Sequence, residues 1–374
     1  MKTLHVLALL ALSSALLHAP AGDAAVSCSG NETLLSWPAN NPVWQMCWLR
    51  PSQSSGPRGS GLELRNVQYN GFPVLKRAHA PMLFAEYTSS TCYRDWKDTN
   101  SNFVAEPALR NQLGVSSVFA PTTSCDRSAH PTQAYGDCPF QLPGRTSGDC
   151  FNGVAIEDKG DHVVLTTQYS ADWYFYSSRF FFYANGAFDA QFGFGNRNGT
   201  GNGTTHWHHN YWRFDFDIDG ADNNVLSIND AVQSTEFTSL RSQTGGPGGS
   251  ERTWEVRNTT TGRGYRLTPS RSDYETPTNQ SGRNFHLVDV IGTAYVANEY
   301  GDNANYSLGD CGMAHGNLAN GGDIDGNGSG SDVVLYYRSG VRDLTGVNSM
   351  ICKSAGPMFT PLGNWNSMFA NGFE

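Results

Sequence analysis

Three of the ten histidines fall within four residues of one another. They sit in the run Thr204-Thr205-His206-Trp207-His208-His209-Asn210-Tyr211-Trp212-Arg213-Phe214-Asp215-Phe216-Asp217-Ile218-Asp219-Gly220. On an extended strand, residues two apart share a side and lie about 6–7 Å from each other. His206 and His208 can therefore close on one ion through imidazole nitrogens, while His209 faces the other way. Imidazole suits copper, zinc, nickel or iron. Asp215 and Asp217 repeat the spacing with oxygen ligands, which suit a hard cation such as calcium. On a regular strand the two pairs face opposite sides, as two separate metal sites would need. The same residues also read as a solvent-facing histidine cluster and as the acidic flank of a turn at Asp219-Gly220. The run Asp323-Ile324-Asp325-Gly326-Asn327-Gly328 begins like a calcium loop. Its twelfth position, where the closing Glu belongs, is Val334, so it reads as an exposed turn.

Strands must position these side chains. Of 374 residues, 41 are Gly and 12% are aromatic, a composition of short strands joined by many turns. Strand-like runs recur at Leu62–Val67, Val163–Tyr169, Trp173–Tyr183, Tyr211–Ile218, Asp332–Tyr337 and Val341–Ile351. Tyr69-Asn70-Gly71-Phe72-Pro73 and Asn185-Gly186 are hairpin turns, the second of the two-residue kind. No internal repeat and no convincing linker appear. The reading is an all-β protein with one large antiparallel β-sandwich over 44–365. A segment at 26–43 precedes it and a tail at 366–374 follows. Lys and Arg number 25 against 34 Asp and Glu, a net charge of −9, which excludes a general nucleic-acid binder.

Met1–Ala25 reads as a signal peptide. Lys2 starts it, Leu4–Leu17 is too short for a comfortable membrane span, and Ala19-Pro20-Ala21 offers a cleavage pattern. The mature chain is expected to be secreted, with no membrane span. All eight cysteines lie beyond residue 25, and an even count in an exported chain favours disulfides. The sequence does not choose among the 105 pairings that eight cysteines allow. Cys125, Cys138 and Cys150 cluster in a Pro/Gly-rich stretch and suggest a local staple.

The chain resembles the C-terminal catalytic domain of the copper/quinone amine oxidases. Gly61–Ala78 looks like that domain's opening strands, and Ala155-Ile156-Glu157-Asp158 resembles a segment leading to the cofactor strand. His206–Gly220 is similar to the family's HxHxxxFRxDxDxDG stretch, with Trp212 in the Phe place. Asp332–Tyr337 is similar to the late metal-binding strand. The resemblance spans about 44–365, without the family's small N-terminal domains.

The resemblance implies an amine-oxidase supersandwich with copper on three histidines and topaquinone made from a Tyr in an Asn-Tyr-Asp/Glu motif. It implies oxidation of primary amines to aldehydes, an Asp removing the α-proton, and oxygen reduced to hydrogen peroxide as ammonia leaves. Family members are commonly homodimers. Residue by residue, His206 and His208 match two copper ligands. Asp215, Phe216 (carbonyl), Asp217, Asp332 and Val333 (carbonyl) match a second, calcium-type site. Tyr174 takes the quinone place, in the context Trp173-Tyr174-Phe175-Tyr176 rather than the motif. Asp343 takes the place of the third His, giving a two-His, one-carboxylate set that suits iron or zinc as well as copper. His315 and His286 are further candidates for the third ligand. Asp98, and after it Asp95, is the candidate base, and Tyr169 stands where the family has a cysteine.

Three functions fit these residues. One is a copper amine oxidase. Another is a non-catalytic, metal-stabilised binding module that uses exposed aromatics such as Trp254, Trp365 and Tyr211. The third is a metalloenzyme with altered chemistry at His206, His208 and Asp343.

Overall fold

A computed structural model of the chain describes residues 26–49, 54, 62–87, 92–95, 104–105, 154–171, 174–196, 206–240, 252–269, 289–297, 319–343 and 352–366. Strands are numbered along the chain. The first antiparallel sheet contains, in spatial order, β1 (Thr33–Trp37), β2 (Trp44–Leu49), β3 (Glu63–Tyr69), β4 (Phe72–Tyr87), β11 (His206–Phe216), β18 (Val333–Asp343), β17 (Val290–Ala294) and β14 (Phe237–Ser239). β5 (Cys92–Asp95) pairs with β4. The second sheet runs β13 (Ala231–Val232), β12 (Asn224–Ile228), β15 (Trp254–Asn258), β16 (Gly264–Thr268), β20 (Met358–Leu362), β10 (Phe188–Asn196), β9 (Tyr174–Tyr183), β8 (His162–Ala171) and β6 (Val104–Ala105). β7 (Ala155–Asp158) pairs with β8, and β19 (Cys352–Ala355) pairs with β10.

The fold is the expected all-β sandwich. Aromatic side chains from alternate positions fill the space between the sheets. Trp44 lies 4.9 Å from Phe182, Phe180 lies 5.2 Å from Trp212, and Phe214 lies 4.7 Å from Phe359, ring centroid to centroid. The sheet begins earlier than residue 44, because Thr33–Trp37 pairs with Trp44–Trp48 as an edge strand. A Cys28–Cys47 disulfide, with Cα atoms 5.6 Å apart, ties the residues ahead of β1 to β2. Cys125, Cys138 and Cys150 lie outside the described residues, as does the apolar run at 4–17. Among the described residues no helix is long and apolar enough to cross a membrane.

Turn chemistry explains both hairpins. Asn70 and Gly71 both take positive φ, 50° and 81°, and join Tyr69 directly to Phe72, as a two-residue primed turn requires. The second hairpin has a three-residue loop instead, 184–186, closed by Tyr183 N–H donating to the Ala187 carbonyl at 2.9 Å. Only Gly186 is left-handed there, at φ 88°. A Cβ on Gly186 would also fall 2.5 Å from Tyr69 Cε1. Gly186→Ala is expected to cost about 2–3 kcal/mol, from strain and overpacking together, read by chemical denaturation. β18 is a single strand where the sequence suggests two. Gly340 does not break it. A Cβ there would come within 3.2 Å of His209 Nδ1 and 3.0 Å of Arg338 Nη1, so the glycine makes room for those groups.

Candidate metal centre

β11 is central in its sheet, paired with β4 on one side and β18 on the other, and every one of its residues is buried. Its even-numbered residues Trp212, Phe214 and Phe216 join the core between the sheets. His206 and His208 share that parity and are fully buried. Their ring centroids lie 4.7 Å apart, and the His208 ring stacks on Phe194 of β10 at 3.9 Å. Burial first, and then the neighbouring His206 and His209, hold His208 well below the usual histidine range, so the ring stays neutral and its nitrogen remains a donor. These rings are not the solvent-facing cluster that the sequence also allowed.

The backbone brings two more of the candidates to this end of the sandwich. Asp343 pairs directly with His206 across β11 and β18. Tyr174 heads β9, paired with Ala171 and Asn196. The side chains of Asp343 and Tyr174 lie outside the described part of the structure, as do Asp98, His286 and His315 entirely.

His209 lies on the opposite face. Its Nδ1 is 3.1 Å from Arg338 Nη1, and Arg338 Nη2 donates to Asp289 Oδ1. A guanidinium nitrogen only donates, so His209 Nδ1 is the acceptor in this contact. This buried pairing has no local signature in the sequence, since Asp289 and Arg338 are far from His209 along the chain.

The second cluster is also on that opposite face. One carboxylate oxygen from each of Asp215, Asp217 and Asp332 lies within 4.8 Å of the others. Asp215 comes from the end of β11, Asp217 from the turn beyond it, and Asp332 from the residue before β18. Phe216 and Val333 pair with each other beside them. Desolvation, then the charge of Asp215, pushes Asp217 up to about 6. Desolvation, then Asp215 and Asp217, pushes Asp332 up to about 7. Asp332 Oδ1 is buried and has no hydrogen-bond partner among the described residues. Three carboxylates gathered this closely, one of them with an oxygen that has no partner among the described residues, form a donor set for a hard cation. Asp219 does not join them. Arg263 grips both of its oxygens, with Nε at 3.0 and 2.9 Å and Nη2 at 2.7 Å, and stacks 3.9 Å over Phe72.

Arg213 Nη1 donates to Asp215 Oδ2 at 3.1 Å, and both side chains are buried. Arg213→Ala would leave the acidic group without its buried counter-charge. A loss of about 3–5 kcal/mol is expected in denaturant melts of the cation-free protein. Asp323 and Asp325 form an exposed turn, as the sequence suggests, with Asn327 N–H donating to Asp325 Oδ1 at 2.9 Å. Trp254, Tyr211 and Trp365 are not exposed binding aromatics. All three are buried, and the Trp254 and Trp365 indoles donate to Ser239 Oγ and the Leu362 carbonyl.

In sequence, the chain matches no protein-family model and no curated protein. In structure it is similar to a copper-containing benzylamine oxidase from Hansenula polymorpha, with a TM-score of 0.59 and 13% identity over 96% of this chain and 63% of that one. It is similar to an Aspergillus nidulans amine oxidase, with a TM-score of 0.54 and 14% identity over 96% and 56%. It is also similar to a Pichia pastoris lysyl oxidase, with a TM-score of 0.52 and 13% identity over 85% and 51%. The chain thus spans between half and two thirds of the length of these proteins. It carries the β-sandwich fold of amine oxidases, a copper-containing one among them.

Proposed function

We propose that the protein is a secreted copper amine oxidase-like enzyme that deaminates primary amines oxidatively. The observation that carries this reading is the pair of fully buried imidazoles 4.7 Å apart on one face of β11, with Asp343 in register opposite His206. That donor set fits a first-row transition metal. His206 and His208 would hold copper, with Asp343 as third ligand. A topaquinone formed from Tyr174 would supply the carbonyl that condenses with a primary amine, and oxygen would take the electrons as hydrogen peroxide. The chain's own part is to keep the imidazoles neutral and dry and to fix their spacing through the β4–β11–β18 ladder. Phe194 braces His208 from the facing sheet. Asp98 is proposed to take the α-proton. Calcium at Asp215, Asp217 and Asp332, with the Phe216 and Val333 carbonyls, would serve the fold. The Cys28–Cys47 disulfide supports an oxidising compartment, and a homodimer is part of the reading.

The test combines metal analysis, a visible spectrum and peroxide release from benzylamine after copper loading in air. Copper near one per chain, quinone absorbance and peroxide support the enzyme. Bound copper with none of these, and an unmodified Tyr174 by peptide mass spectrometry, leave a non-catalytic metal-binding module. The carboxylate opposite His206 favours a further reading, a metalloenzyme of altered chemistry, which a zinc- or iron-dominated metal content would support.

A further inference from the structure

β11 fixes where His206 and His208 leave the backbone, but not how their rings are turned. An imidazole binds a metal in the plane of its ring, along a nitrogen lone pair. The second side-chain torsion of histidine has only broad preferences. Two neighbouring imidazoles therefore converge on one ion only when something outside their strand holds the ring planes.

Phe194 does this for His208. Its ring lies 3.9 Å from the imidazole, centroid to centroid, with 21° between the planes. A stack this close leaves no room for water and closes one face of the imidazole. The His206 ring stands 4.7 Å away at 65° to that of His208. Phe194 is itself held in place. It is 1% exposed, and its backbone pairs with Tyr176 of β9 and Lys353 of β19. Two residues further along the same ladder, Asn196 pairs with Tyr174. The sheet that carries the proposed cofactor tyrosine thus reaches the metal ligand through this ring.

We propose that Phe194 is a positioning residue for the metal: it fixes the plane of His208, and with it the direction of the metal–nitrogen bond. This role presupposes the proposed metal centre and adds to it a residue with no ligand atom of its own. Its contribution is orientation. Groups behind a metal ligand act in this way, and losing one costs about ten- to a hundredfold in affinity.

Copper(II) alone is the probe, titrated into the full-length protein against a chelating competitor and followed by electron paramagnetic resonance. The wild type should give one copper(II) spectrum. Phe194→Leu keeps an apolar side chain but removes the flat face. It should weaken copper binding about tenfold and broaden or split the spectrum, as His208 takes more than one orientation. Phe194→Tyr keeps the face and should stay within about threefold of the wild type, with the wild-type spectrum. Phe188→Leu is the structural control. Phe188 lies on the same strand, stacked on Phe359 at 4.6 Å and 16°. That variant should lose stability in a denaturant melt without a change in copper affinity or spectrum. If Phe194→Leu does not fold, Phe194→Met, with a flexible side chain in place of the ring, is measured instead. Unchanged affinity and an unchanged spectrum without the ring would overturn the positioning role and leave the metal centre standing. So would an equal loss in Phe194→Tyr or in Phe188→Leu. No copper binding by the wild-type protein would overturn the centre and this role together.

Discussion

His208→Ala should reduce bound transition metal from about one per chain to a trace, by metal analysis after loading and desalting. Affinity should fall by more than about a hundredfold, since merely disturbing a residue behind a ligand costs ten- to a hundredfold. Peroxide release should disappear with it. His208 is fully buried, stacked on Phe194 and held neutral by its surroundings, so no solvent-borne group can take its place. Truncation also opens a cavity beside Phe194 costing about 2–3 kcal/mol, and a circular-dichroism melt must show a folded variant before metal content is compared. His209→Ala supplies the contrast. It lies one residue away but on the opposite face, against Arg338, and should leave metal content near that of the wild type. Equal metal loss in both variants, or full retention in His208→Ala, would contradict a centre on the inner face.

Calcium should abolish the fall of stability with rising pH. In the cation-free protein Asp217 and Asp332 are pushed up to about 6 and about 7, against about 3.9 in the unfolded chain. The folded state therefore holds more protons between these limits, and stability falls as pH rises from about 4 to about 7. Solvent still reaches both groups, which holds the combined loss to on the order of 1–2 kcal/mol. A bound cation takes the ionised form and removes the penalty. At a hundred times its Kd it adds about 2.7 kcal/mol. Melting temperatures at pH 5 and pH 7.5, in EGTA and in calcium, should show a fall with pH in EGTA only. Asp332→Asn should flatten the EGTA slope and abolish the gain from calcium. A calcium-insensitive melt, with the same slope in both buffers, would leave the three carboxylates without a cation role.

Much of the arrangement is legible in local spacing. A period of two places His206 with His208, and Asp215 on the other face, because a strand alternates sides with no help from the rest of the molecule. Asn70-Gly71 declares its hairpin because both residues tolerate positive φ. Asn185-Gly186 misleads by one residue, since only the glycine turns left-handed there. The partners of the sites are not local. Phe194 reaches His208 from the other sheet, and Asp289 reaches His209 through Arg338. Packing between the sheets decided the burial of Trp254 and Trp365, whereas Tyr211 is buried on the opposite face of β11, and nothing local in the sequence separates these buried rings from exposed ones.

By itself the sequence determined the fold class, the strands that carry the histidines and carboxylates, and the donor types each face presents. Those follow from alternation, turn chemistry and the side chains themselves. Only the tertiary structure decided that Asp219 goes to Arg263, and it set Asp343 opposite His206 and Asp332 beside Asp215 and Asp217, groupings that the sequence offered through family resemblance alone. These pairings join residues from 44 to 137 positions apart in the chain. Strand register and sheet order set such contacts, and no spacing along a single strand encodes them.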